Sequence, residues 1–214
     1  MSYSSIKRVF AVAIALAVLC LGGAAQNDAQ PGRCPENRFE EEYKQVLDSY
    51  FIHARGDSAS AVILRVYSAF LPEYELVLDP ANTPGTITRY AAAKSIWGNV
   101  YSLEKSHLTI DQYVTQAEEV PFAKTDFKVS DERLQGLLSK ASAIDTSICE
   151  RQPMKDIKGH NVIVLDSGWF EIIKEKGHIR ARVTDTDAKV ISQNPALKNW
   201  GFDLQQSFGS RLPR

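Results

Sequence analysis

Between Phe39 and Ala54 the large apolar side chains Phe39, Tyr43, Val46, Leu47, Tyr50 and Phe51 return at helical spacing, predicting a helix with one buried side. Pro35 suits a first helical position, Glu36 and Glu40, Glu41 and Glu42 suit the positive helix end, and Gly56 suits its close. Asp57 or Ser58 then caps a second predicted helix with Val62, Ile63, Val66, Tyr67 and Phe70 on its apolar side, making a helical hairpin. Pro72 stops it. From Glu73 to Asp79 the period shortens to two, with Tyr74, Leu76 and Leu78 alternating against Glu73, Glu75 and Val77, as in a strand with one wetter face.

The turn formers from Asp79 to Gly85 separate this strand from a second at Thr86–Ala93. Short helices follow, one capped by Ser95 and one opened by Thr109; then come a strand at Phe122–Val129 and a helix from Asp131 to Ala143 behind Ser130. The densest β pattern runs from Asn161 to Asp185, three runs parted by Asp166-Ser167-Gly168 and Glu175-Lys176-Gly177. Pro195 then starts a closing amphipathic helix with Leu197, Trp200, Leu204 and Phe208. Helices and antiparallel hairpins in separate blocks predict an α+β fold, a mostly antiparallel sheet of about five to six strands with helices packed on one face.

Two-residue turns in the late meander align Leu165 with Phe170 and Val183, and Ile163 with Ile172 and Ala181, as an apolar face with Lys174 at its edge. Trp169, Glu171, Arg180 and Arg182 then share the wetter face with Val164 and Ile173, with Glu171 opposite Arg182. The rival is a three-residue loop at Glu175–Gly177, which would set Phe170 opposite Arg182. Aromatic and arginine side chains on one surface have the composition of an interaction site, so these four residues are the candidate binding set. Two alternatives stand beside it: helices covering this face too, or arginine stems that merely shield it.

Ahead of the folded region, Lys7 and Arg8 precede an uncharged apolar run, Val9–Leu21, and then the small residues Gly22 to Ala25. This order predicts a signal peptide over residues 1–25, because the run is shorter than the roughly 18–20 residues a membrane span needs. A polar tether over 26–35 and a single domain over 36–214 follow. Leu19 before Cys20 disfavours lipidation, and no Asn begins an Asn-x-Ser/Thr acceptor, which favours a bacterial periplasmic or extracellular setting. Cleavage leaves Cys34 and Cys149, which an oxidising compartment would join; closing the chain between them is worth about 4–5 kcal/mol on chain-entropy grounds. Two unpaired thiols are the alternative.

Charge narrows the partners. Lys and Arg total 25 against 26 for Asp and Glu, so no excess drives the chain onto nucleic acid or anionic lipid. His53, His107, His160 and His178 lack metal-ligand spacing, and no cofactor motif is present. Ser102-Leu103-Glu104-Lys105 matches Ser-x-x-Lys without its companion elements, and Asp185-Thr186-Asp187 lacks the further oxygens of a calcium loop. The expectation is an exported, non-catalytic protein that binds another protein or a small ligand. The alternatives are an exported hydrolase with a site assembled only in the fold, and a structural component of the envelope.

Overall fold

A computed structural model describes residues 38–67, 71–99, 108–148, 154–155, 161–162, 169–177, 179–184 and 192–209. Helix α1 (Arg38–Arg55) ends where Gly56 N–H returns to Ile52 O at 2.8 Å. Strands β1 (Val62–Tyr67), β2 (Tyr74–Leu78) and β3 (Thr86–Ala92) follow, then the short α2 (Ile96–Asn99). Thr109 and Gln112 form a reciprocal capping box for α3 (Ile110–Glu118), and β4 (Phe122–Lys128) leads to α4 (Asp131–Ser142), capped by Ser130. The remaining elements are β5 (Met154–Lys155), β6 (Asn161–Val162), β7 (Trp169–Lys174), β8 (Ile179–Thr184) and α5 (Pro195–Leu204). Asn194 caps α5 with Pro195 in its first turn, and a π turn, Gln205–Gly209, extends it.

The fold class is α+β. Six strands form one antiparallel sheet in the order β4-β3-β2-β1-β7-β8, and β5 pairs with β6 separately. Two expectations about connectivity are corrected. Residues 62–67 form a strand instead of the second helix of a hairpin: Val62, Ile63 and Val66 are β-branched, and both faces of the strand are covered, which removes the period of two. The other concerns the run beginning at Asn161, which does not flank β7. β1 takes that place, setting Arg65 against Glu171 and Val66 against Phe170, while Asn161 and Val162 pair with Lys155 and Met154. Leu165 and the turn at Ser167-Gly168 lie outside the described residues.

The β7–β8 register is the expected one, with Phe170 opposite Val183, Glu171 opposite Arg182 and Ile172 opposite Ala181. A 3-10 turn, Glu175–Gly177, joins the two strands instead of two residues, with Glu175 at φ 50° and Gly177 at φ 88°. Helices α4 and α5 cover one face, where Leu64, Leu76, Ile87, Phe170, Ile172 and Val183 meet Leu134, Leu137, Leu197 and Trp200. Helix α5 sits so close to β7 that a Cβ on Gly201 would lie 2.5 Å from Phe170 Cδ2. Lys174, at the edge of this face, donates to Ala141 O at the end of α4 at 2.6 Å. The sheet also carries a second helical layer. Tyr43, Leu47, Tyr50 and Phe51 of α1 pack with Tyr67, Ala92, Ile96 and Tyr113 on the opposite face, the alternative left open for the meander's polar side.

Candidate functional site

Because alternate strand residues point to opposite faces, the residues between the apolar ones lie on the face that α1 packs against. Their cross-strand order is Glu75 opposite Arg65, Arg65 opposite Glu171, and Glu171 opposite Arg182, a row of alternating charge across four strands. All four are buried. Arg65 donates from Nε and Nη2 to Glu75 Oε1, at 2.8 and 2.6 Å, and from Nη1 to Asp48 Oδ1 at 2.6 Å. Arg55 donates to Glu75 Oε2 at 2.8 Å. Arg180 reaches Asp48 Oδ2 at 3.0 Å, Gly177 O at 3.0 Å and Glu171 Oε2 at 3.5 Å. Tyr67 donates a short hydrogen bond to Glu171 Oε2, and Arg182 approaches Glu171 Oε1 at 3.9 Å. The Arg182 guanidinium also stacks over Trp169, 4.6 Å from its centroid.

These surroundings favour the ionised forms of Asp48, Glu171 and Arg65 and the neutral form of Tyr67. Burial alone would raise the Asp48 carboxyl, but Arg65 and Arg180 hold it below its ordinary value. Burial likewise opposes ionisation of Glu171, and Arg180, Arg182 and Arg65 together outweigh it, again lowering the pKa. For Arg65 the desolvation cost is overcome by Asp48 and Glu75, which raise its pKa well above the usual guanidinium value. Burial and the Glu171 charge push the Tyr67 phenol up. Next to this network a further buried carboxylate, Glu73, accepts from Tyr43 Oη at 2.6 Å, Ile96 N at 2.7 Å and Trp97 N at 3.0 Å, anchoring α2 to the sheet.

A cleft of about 100 Å³ opens where the end of α1 overhangs the β7–β8 turn. Its apolar floor is Ala61, Ile63 and Ile173, a small cluster separate from the two larger cores. Its walls are Asp48, Arg55, Arg65, Lys174 and Arg180, with Ile52 and Asp57 exposed at the mouth. Gly177 makes the Arg180 wall possible, since a Cβ there would lie 2.8 Å from Arg180 Nη2.

The four residues of the candidate binding set do come together, on one face of β7 and β8. Glu171, Arg180 and Arg182 are buried and Trp169 is half-buried, so the expected wetter face is an interior one beneath α1. Sequence reasoning missed Asp48, Arg55, Arg65 and Glu75. Asp48 and Arg55 are seven apart on α1, two turns along one side, a spacing that marks a charged stripe beside the apolar one. Cys34, Cys149, His107, His160, Ser102, Lys105, Asp185 and Asp187 lie outside the described residues. His53 is exposed. Among the described residues no group of three or more His, Cys, Asp or Glu is placed to hold a metal ion, and no helix is long and apolar enough to cross a membrane. No protein-family model, curated protein or solved structure matches the chain.

Proposed function

We propose that this is an exported, non-catalytic binding protein whose ligand is a small anion held in the cleft beneath the end of α1. The observation that carries the reading is the wall of three arginines, Arg55, Arg65 and Arg180, around a cavity open to solvent at Asp57 and Ile52. Guanidinium groups stay charged throughout the physiological range and offer five N–H donors each, so a surface made of them binds and orients anions. They do not exchange protons near neutrality, and Asp48 and Glu171 are held ionised beside them. A general acid or base works best with a pKa near the operating pH, which favours binding over catalysis here. Export rests on the Lys7–Arg8, Val9–Leu21 and Gly22–Ala25 succession.

Calorimetric titration with phosphate, sulfate, acetate and butyrate tests the binding reading. Saturable binding of at least one of them is expected, weakened at least tenfold by Arg180→Lys, which keeps the charge and removes the fork. Binding of none, or binding indifferent to that substitution in folded protein, overturns it. N-terminal sequencing of the protein recovered from the envelope or medium should begin near Gln26.

A further inference from the structure

Resting on that reading of the cleft, we infer that its ligand is a small aliphatic monocarboxylate, bound with its carboxylate toward Arg55 and Arg180 and its hydrocarbon on Ala61, Ile63 and Ile173. The two sides of the cavity differ in chemistry. Ala61, Ile63 and Ile173 form a floor with no donor, and an anion with oxygens on every side would leave some of them desolvated and unbonded against it. A carboxylate has an apolar back and a planar pair of oxygens, and that pair matches a guanidinium fork. Arg55 sets its guanidinium at the mouth, held there through Nε and Nη1 by Glu75 and Gly56 O, at 2.8 and 2.6 Å. Arg180 presents its Nη2 across the cleft, where Asp48 is its partner at 3.0 Å.

Charge and volume agree on the class. The lining carries Arg55, Arg65, Lys174 and Arg180 against Asp48 and Asp57, a positively charged surface that suits an anion. A cavity of about 100 Å³ compares with the apolar cavity of roughly 150 Å³ that takes up benzene, so the ligand has only a handful of heavy atoms.

The test is a homologous series titrated into the protein as isolated: acetate, propionate, butyrate, hexanoate, 1-butanol, phosphate and sulfate. Affinity should rise about fourfold per methylene from acetate to butyrate, the factor equivalent to about 0.8 kcal/mol, and fall for hexanoate once the cavity is full. Butanol, lacking the charge, should bind at least tenfold more weakly than butyrate. Ala61→Leu fills the floor while replacing no charged group and should abolish binding while leaving the unfolding midpoint within a few degrees of wild type. If phosphate or sulfate binds at least as tightly as butyrate and is lost in Ala61→Leu, the anion cleft stands and the carboxylate assignment falls. Butanol binding as tightly as butyrate would also remove the carboxylate assignment. If nothing in the series binds, or if butyrate binding survives both Ala61→Leu and Arg180→Lys, the cleft reading itself falls.

Discussion

Beneath α4 and α5, Leu64, Leu76, Phe170 and Ile172 meet Leu137, Leu197 and Trp200. On the other face the adjacent residues of the same strands, Arg65, Glu75 and Glu171, meet Asp48 and Arg55 from α1. Both faces are largely buried, yet one is joined by dispersion and apolar burial and the other by directed charge. Replacing a buried ion network with apolar residues of similar volume is often neutral or stabilising, so stability alone does not account for the ionic face. An apolar face tolerates approximate shape, whereas Arg65, with Asp48 and Glu75 at 2.6 Å, fixes α1 in one position over the sheet. That fixed overhang is what makes a cleft at the end of α1.

The largest effects should come from adjacent residues on β7. Phe170→Ala opens a cavity against Phe202 and α5 and should cost about 3–5 kcal/mol in urea unfolding. Glu171→Gln removes the buried negative charge that Arg65, Arg180 and Arg182 share and should cost a similar 3–5 kcal/mol. Acid separates the two. Asp48 and Glu171 have lowered pKa values when folded, so the folded state binds fewer protons than the unfolded chain and stability falls as the pH falls. Their contribution is present above the ordinary carboxylate range and is lost as pH drops below roughly 4. Wild type and Phe170→Ala should show the same acid slope, and Glu171→Gln a shallower one. Identical slopes in all three would mean that the network does not couple to folding.

The alternation of Phe170, Ile172 and Val183 against Glu171 and Arg182 was legible because it has a period of two, and the apolar set alone fixes the register. The partner of β7 was not legible. β1 is apolar on one face and carries Ile63, Arg65 and Tyr67 on the other, so its hydrophobic residues imitate a helical stripe. Nor does the sequence show what covers Glu171. Arg65 and Tyr67, which meet it from β1, stand more than a hundred residues earlier, and only the fold brings them together. Asp48 and Arg55 look like the wet margin of an amphipathic helix until the sheet supplies Arg65 and Glu75 beneath them.

A smaller effect should follow at the turn that sets Arg180. Gly177→Ala places a side chain at φ 88°, strained by about 1–2 kcal/mol, and sets a Cβ 2.8 Å from Arg180 Nη2. Stability should drop by that amount, measured by urea unfolding, and butyrate affinity should drop with it because the guanidinium must shift. Unchanged affinity with the expected loss of stability would detach Arg180 from the cleft.

The smallest expected effect makes the sharpest control on the comparison. Lys140 of α4 and Asp203 of α5 form an ion pair at 3.0 Å, the same distance as Arg180 and Asp48. The surroundings differ: the first pair is 62% and 40% exposed at its side chains, the second 11% and 25%. Water and salt screen the first pair, and holding two long side chains in one geometry consumes most of what attraction remains. Asp203→Asn should therefore change stability by less than about 0.5 kcal/mol, with no change in acid slope. Asp48→Asn, at equal separation, should be clearly destabilising and flatten the slope, because Arg65 and Arg180 stay buried against one countercharge fewer. If the two substitutions proved equivalent in urea unfolding at neutral and acid pH, burial would not be what distinguishes the ionic face. The contrast between the two sides of the sheet would then reduce to composition.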